Sequence, residues 1–114
     1  MKIYHNNRCR KSREALDVLE KSGQEFSIIK YLEDVPSVNE LKDIIKLLNI
    51  KPIDLVRKNE AVWKENFKGK ELTDNAIVKI MQENPKLIER PIVIKGKNAV
   101  VGRPIDNVTS LINS

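Results

Sequence analysis

The segment from Tyr4 to Leu16, YHNNRCRKSREAL, holds both the only cysteine and the only histidine of this 114-residue chain. Four cationic side chains surround Cys9 within six residues: Arg8, Arg10, Lys11 and Arg13. A thiol is a strong nucleophile only as its thiolate, which nearby cations or a helix N-terminus stabilise. The segment therefore predicts a reactive, partly exposed cysteine in a region that attracts anions.

Cys9 is predicted to lie between a strand and a helix. The apolar-ended MKIY, followed by two asparagines, predicts a first strand. SREALDVLEKSG then predicts a helix from Ser12 to the capping Gly23, with apolar residues on one face. The unpaired N–H groups at such a helix start carry roughly +0.5 charge and attract anions. This position favours a nucleophile, although a lone cysteine is also compatible with an inert, buried side chain.

Two polar residues near Cys9 are candidates for supporting roles. Ser12, in a C-x-x-S spacing, is predicted to donate its hydroxyl to the sulfur anion or to a bound oxyanion. His5, four residues before Cys9, is a candidate for helping to ionise the thiol, although a surface imidazole at a strand end is the simpler interpretation.

The remaining elements predict an α/β fold. EFSIIKYL predicts a second, buried strand, which completes a parallel βαβ unit. Ser37 with Glu40 forms a capping-box pattern, and it opens a helical insert of about residues 37–85 that also includes KPIDLVRK and a helix beginning at Thr73. PIVI and AVV, joined by KGKN, predict a β-hairpin before a final helix near Pro104. This order is typical of a thioredoxin- or glutaredoxin-like small mixed sheet with a helical insertion between strands two and three, in a single domain over residues 1–114.

Composition excludes several classes of protein. One cysteine cannot form an internal disulfide, no apolar run approaches the roughly 20 residues of a membrane span, and MKIYHNN does not resemble a secretion signal. We therefore expect a cytoplasmic monomer without a bound cofactor or metal. The formal charge of +5 suits nucleic acid or a small anion, but the few aromatic residues do not interleave with the basic clusters, which argues against nucleic acid.

Four separated blocks of this sequence, YHNNRCRKSREAL, LVRKN, ERPIVI and VGRP, resemble the glutaredoxin-linked arsenate reductases. The resemblance covers nearly the whole chain. It implies the two-electron reduction of arsenate to arsenite in arsenic detoxification, with glutathione as co-substrate and glutaredoxin as protein partner. It also implies a nucleophilic Cys9 and three groups of further site residues: the oxyanion-binding Arg57, Arg90 and Arg103; the thiol neighbours His5, Ser12 and Arg13; and Pro91 as the cis-proline beside the active site.

The chemistry of arsenate makes these residue types sensible. Arsenate is an anionic tetrahedron that repels an approaching thiolate, and guanidinium groups bind such oxyanions bidentately at any working pH. Each arginine is also compatible with an ordinary surface ion pair, and spacing alone favours that alternative for Arg57. Two positions depart from the family pattern: Asn7 stands where proline is usual, and Arg10 stands where a small residue is usual. We expect Asn7 to loosen the turn before the thiol. Arg10 adds charge at the entrance to the site, where it either helps to capture an anion or crowds the entrance.

Two other functions share this fold. A regulator of the Spx type binds RNA polymerase and senses thiol stress, often through a C-x-x-C switch, but Ser12 occupies the second position of that motif here. A monothiol enzyme acting on glutathione mixed disulfides would need Cys9 and the cis-proline but not three arginines.

Overall fold

A computed structural model describes all 114 residues, Met1–Ser114. The chain separates into two compact units. The first combines Met1–Asp34 with Arg90–Ser114, and the second is Val35–Glu89. The assignment of residues 1–114 to one domain, with an insert at about 37–85, stays a prediction.

The first unit contains one four-stranded mixed sheet in the order β2-β1-β3-β4. β1 runs parallel to β2 and antiparallel to β3, and β3 runs antiparallel to β4. The predicted fold class, with its βαβ unit and its C-terminal hairpin, is confirmed. The strands are β1 (Lys2–Tyr4), β2 (Ser27–Ile29), β3 (Ile92–Lys95) and β4 (Asn98–Val101).

Two helices, α1 (Arg10–Lys21) and α5 (Asp106–Ile112), share a hydrophobic core with the sheet. Ile3 of β1 and Val93 of β3 are register partners and are completely buried. Burying an aliphatic side chain of this size contributes about 1.5–3 kcal/mol, so the central strands anchor this unit. The helical members of the cluster are Ala15, Leu19, Val108, Leu111 and Ile112.

The prediction that the second strand is buried is wrong. β2 is an edge strand that pairs only with β1, so one side of it faces solvent. Ser27 is exposed and Ile28 is 46% exposed. Its β-branched run resembles a central strand because strand propensity does not distinguish edge from centre.

The ends of the two helices near the active-site segments differ slightly from the prediction. α1 begins at Arg10 rather than Ser12, with Cys9 as its N-cap residue. α5 begins at Asp106, two residues after Pro104. The hairpin between β3 and β4 turns at Gly96-Lys97, where Gly96 has a φ of 60° that favours glycine.

The second unit is helical. Its N-caps form as predicted: Ser37 Oγ accepts the Glu40 N–H at 3.1 Å, and Thr73 Oγ1 accepts the Ala76 N–H at 3.1 Å. The short helix predicted in KPIDLVRK is a 3₁₀ turn, and one six-residue helix was not predicted because it is too short for a periodic pattern. The elements are α2 (Val38–Leu48), the 3₁₀ turn Pro52–Leu55, α3 (Ala61–Asn66), α4 (Asp74–Glu83) and the 3₁₀ turn Pro85–Leu87.

None of the five helices combines the length and the apolar character that crossing a membrane requires.

Candidate active site

Cys9 is held at the N-terminus of α1 by a closed turn. The Cys9 N–H donates to the Asn6 carbonyl at 3.0 Å, and the Arg8 N–H donates to Asn6 Oδ1 at 3.0 Å. The Cys9 carbonyl accepts the Arg13 N–H, which starts the helical hydrogen-bond ladder. The turn is therefore closed by hydrogen bonds with Asn7 in place of proline, and the loosening effect of Asn7 stays a prediction. Cys9 is only 9% exposed, which is less than the partial exposure predicted.

The direct cationic contact to the thiol comes from Arg103. Its Nη2 donates to Cys9 Sγ at 3.3 Å, and its Nε donates to the Arg90 carbonyl at 2.7 Å. Two hydrogen bonds from one planar guanidinium fix its orientation, because the fork is rigid. A positive charge therefore lies 3.3 Å from the sulfur, at the place where an anion attacked by Cys9 would arrive.

Three of the four cations next to Cys9 in sequence have other partners. Arg10 Nε lies 3.4 Å from Glu14 Oε1, and Lys11 Nζ lies 4.0 Å from Glu14 Oε2. Arg13 Nη1 donates to the Asn7 carbonyl at 3.1 Å. Arg10 is thus engaged along the exposed side of α1. These neighbours contribute to the positive electrostatic potential around Cys9. The guanidinium that contacts the sulfur is that of Arg103, 94 positions further along the chain.

Ser12 does not have the partner that its spacing predicted. It is completely buried, and its Oγ lies 2.7 Å from His5 Nδ1 and accepts the Asn6 N–H at 3.0 Å. The hydroxyl therefore ties α1 to the residues after β1 instead of donating to Cys9 Sγ. His5, interpreted from the sequence as a possible surface imidazole, is 2% exposed.

Burial lowers the pKa of His5 below its ordinary value of 6.5, because desolvation disfavours the imidazolium. Hydrogen bonds with Asn7 and Ser12 oppose this shift, and the charges of Lys30 and Arg13 add to it. His5 is therefore neutral at pH 7. Since the Ser12 oxygen already accepts the Asn6 N–H, its own hydrogen can be donated to Nδ1 of the neutral ring.

Gly102 and Pro91 join the two segments that carry Arg90 and Arg103. The Gly102 N–H donates to the Pro91 carbonyl at 2.8 Å. A Cβ at Gly102 would lie 2.8 Å from Pro91 Cγ and 2.9 Å from Val108 Cγ2, so only glycine allows this approach. The Arg90-Pro91 peptide is cis, and so is Arg103-Pro104. Gly102 was not predicted as a supporting residue, although a glycine directly before a candidate arginine in VGRP is a signal for it.

Arg57 belongs to the second unit and takes part in ion pairs there. Its Nη1 lies 2.7 Å from Glu60 Oε1, and its Nε lies 3.6 Å from Glu89 Oε1. These contacts match the surface ion pair that its spacing favoured. Its role in oxyanion binding stays a prediction.

The site contains no arrangement suited to a metal. Nowhere in residues 1–114 do three or more His, Cys, Asp or Glu side chains gather where they could hold an ion. What the arrangement offers is nucleophilic chemistry, with a thiol, an adjacent guanidinium and a helix N-terminus.

A mixed sheet with one thiol at the N-terminus of its first helix defines a thiol protein of the thioredoxin-like class. The sequence model of the ArsC family matches residues 4–111, and the chain belongs to this family. The predicted resemblance is thereby confirmed.

Three relatives illustrate the match. Protein YfgD of Escherichia coli K12, described as uncharacterized, is 40% identical over 114 residues, which cover 98% of this chain and 96% of that protein. An arsenate reductase from Haemophilus influenzae is 40% identical over 112 residues, which cover 96% of this chain and 97% of that protein. A solved structure of an arsenate reductase from Vibrio cholerae is 44% identical, with a TM-score of 0.90, and the match covers 96% of this chain and 97% of that one.

Proposed function

We propose that this protein is an arsenate reductase in which Cys9 is the nucleophile and glutathione and glutaredoxin supply the electrons. The observation that carries the proposal is the 3.3 Å hydrogen bond from Arg103 to Cys9 Sγ. An arginine at that position orients the sulfur and can hold the oxygens of an anion that Cys9 attacks. The arsenate reductases among the relatives support the choice of substrate.

The first step is nucleophilic attack of the Cys9 thiolate on arsenic. A sulfur–arsenic bond forms, and one arsenic–oxygen bond breaks as its oxygen takes up protons and leaves as water. Arg90 and Arg103 are proposed to hold the remaining oxygens, and Arg57 is added as a third ligand on the family resemblance alone. The guanidinium groups offset the repulsion between the thiolate and the anion.

The electron balance requires an external thiol. Reduction of arsenic(V) to arsenic(III) takes two electrons, and the formation of one disulfide bond supplies two. Because the chain has a single cysteine, its own sulfur cannot provide both partners of an internal disulfide. In the proposed cycle glutathione forms a second sulfur–arsenic bond and displaces another arsenic oxygen as water. A glutaredoxin thiol then attacks the glutathione sulfur, which forms the mixed disulfide and leaves two electrons on arsenic. Water finally hydrolyses the bond between Cys9 and arsenic(III), which releases arsenite and the free thiol. Overall, arsenic acid and two thiols give arsenous acid, one disulfide and one water.

The supporting residues act through position. His5 and Ser12 hold the turn that presents Cys9, and Arg13 is hydrogen-bonded to the Asn7 carbonyl of the same turn. Pro91 is held against the Gly102 backbone beside the arginine-bearing segments. We place this activity in a cytoplasmic monomer.

The test is arsenite production from arsenate with glutathione and glutaredoxin, comparing the wild-type protein with Cys9→Ser. The wild type is expected to form arsenite, and the variant is expected to form none while keeping its circular dichroism spectrum and melting temperature. Omitting either electron donor should slow the wild type. Turnover of a glutathionylated peptide, combined with no arsenite from the wild type, would instead identify a monothiol exchange enzyme.

A further inference from the structure

A surface groove of about 340 Å³ lies beside the turn that presents Cys9. One wall is the segment Asn6–Arg8, which leads directly into the nucleophile. The other wall is the chain after β2, which contributes Lys30, Leu32 and Glu33, and His5 completes the lining.

The walls of the groove are ordered. The Asn6 side chain accepts the Arg8 N–H at 3.0 Å on one side. On the other side the Lys30 carbonyl accepts the N–H groups of Glu33 at 3.0 Å and Asp34 at 2.8 Å. Both walls are therefore closed turns that can present their side chains to a ligand without first becoming ordered.

The charged groups of the groove have no partners of opposite charge within the chain. Arg8, Lys30 and Glu33 are exposed, and none of them forms an ion pair in residues 1–114. Leu32, between the two charged residues of the second wall, is 37% exposed, and it is one of only two exposed large hydrophobic side chains. The groove thus offers two cations, one anion and one apolar surface.

We propose that this groove binds glutathione, with Arg8 and Lys30 facing its two carboxylates and Glu33 facing its ammonium group. This inference rests on the proposed function, which requires an external thiol, and it adds the site where that thiol is recognised. Glutathione carries two carboxylates and one ammonium group at neutral pH, so its charges equal those of the groove in number and are opposite in sign. The methylene groups of its γ-glutamyl residue suit the surface of Leu32.

The charge pattern distinguishes this ligand from the oxyanion substrate. Glu33 repels a compact dianion such as arsenate, whereas a zwitterionic tripeptide places its ammonium group there and its carboxylates elsewhere. The groove reaches Arg8, the residue directly before Cys9, so a tripeptide bound in it lies next to the segment that presents the nucleophile. Lys30 is close enough to His5 for its charge to lower the pKa of that imidazole, which is consistent with an ammonium group over the groove.

Binding can be measured without any chemistry. S-methylglutathione cannot react, and Cys9→Ser removes the nucleophile, so amide chemical shifts of this variant report binding alone. We expect saturable shifts at Asn6–Arg8 and Lys30–Glu33, with a Kd on the order of 1 mM. In the same background, Arg8→Gln and Lys30→Gln should each raise the Kd about three- to fivefold.

Lys97→Gln is the matched control, because Lys97 is an exposed lysine of the hairpin turn and its loss changes the net charge equally. It should leave the Kd within about 1.5-fold, the effect of a distant screened charge. Saturable shifts confined to Arg90 and Gly102, no saturable shifts at all, or an equal effect of Lys97→Gln would overturn the proposal.

The two proposals fail separately. If S-methylglutathione binds in the groove but arsenate is not reduced, the groove assignment stands and the arsenate assignment falls. If arsenate is reduced but the groove shows no shifts, the groove assignment falls, and the external thiol is then recognised elsewhere or delivered on a protein donor.

Discussion

Arg103 is the residue on which the chemistry of the site depends most directly, because it touches the sulfur and is itself held by the Arg90 carbonyl. Hydrogen bonds to charged groups contribute about 1.5–3 kcal/mol. We therefore expect Arg103→Ala to lower kcat/KM for arsenate by about 10- to 150-fold, at 1.4 kcal/mol per factor of ten. Arg103→Lys should recover little of this loss, because an ammonium group cannot reproduce the two-pronged geometry.

Arg10→Ala serves as the control for this experiment. Arg10 is 85% exposed, and its guanidinium is engaged with Glu14. Its loss should leave kcat/KM within about twofold, which corresponds to less than 0.5 kcal/mol. Equal effects of Arg10→Ala and Arg103→Ala would mean that general charge, rather than contact with sulfur, determines the rate.

His5 predicts how the stability of the fold depends on pH. Its folded-state pKa is lowered from 6.5, so between the two values the unfolded chain binds more protons than the folded one. The contribution of neutral His5 to the free energy of unfolding is therefore fully present above pH 6.5. It is lost as the pH falls below that value, by at most about 1.4 kcal/mol per pH unit. Urea unfolding of the wild type and of His5→Asn at several pH values measures the difference. Parallel pH profiles for the two proteins would contradict this prediction.

At the scale of elements, the approach of the segment before β3 to the segment after β4 depends on Gly102. The added methyl group of Gly102→Ala would lie 2.8 Å from Pro91 and 2.9 Å from Val108. Such overpacking costs about 1–3 kcal/mol, and relieving it must move Pro91 or the neighbouring Arg103. We expect both the unfolding free energy and the arsenate kcat/KM to fall.

Gly96→Asn in the hairpin turn is the comparison for Gly102→Ala. Gly96 has a positive φ, which asparagine tolerates, and a Cβ there meets nothing within 4 Å. This variant should lose less than about 1 kcal/mol and keep its activity. If Gly102→Ala behaves in the same way, Gly102 does not position the arginine.

The sequence predicted features that depend on neighbouring residues correctly, and it failed for features that depend on residues far apart in the chain. The junction of strand and helix at Cys9 and the N-caps at Ser37 and Thr73 were predictable because neighbouring residues determine them. The exposed position of β2 was not, because pairing partners decide whether a strand lies at an edge. The hydrogen-bond partner of Ser12 was predicted wrongly for the same reason, because helical spacing does not determine which residues of other segments lie next to its hydroxyl.

The candidate site shows the same limit. Arg103 was predicted as a site residue from a family resemblance. Its contact with Cys9 joins residues 94 positions apart in the sequence, so no local sequence pattern predicts this contact. The clustered cations around Cys9 drew attention to the correct segment, whereas the hydrogen bond to sulfur comes from outside it.

At the scale of the whole molecule, the formal charge of +5 predicts salt-dependent capture of an anionic substrate. The screening length shortens from about 10 Å at 0.1 M salt to about 3 Å at 1 M. We expect the KM for arsenate to rise with sodium chloride while kcat changes little, because charge steers the encounter more than the later chemical steps. Steady-state kinetics at several salt concentrations measure this effect.

Alkylation of Cys9 by iodoacetamide provides the reference, because this reagent is neutral and is not steered by charge. Its rate should change far less with salt than the KM for arsenate does. A KM that is independent of salt would show that the net charge has no part in substrate capture.

The hydrogen bond between Arg103 and Cys9 also has a consequence for biosynthesis. Domains emerge from the ribosome N-terminus first, at about 5–20 residues per second, so the thiol leaves the ribosome well before its guanidinium partner. A nascent chain that has released Cys9 but not Arg103 has the nucleophile without the guanidinium that contacts it. The complete site thus arises late in synthesis, and ribosome-bound chains stalled before residue 103 should form no arsenite from arsenate, whereas the released protein should.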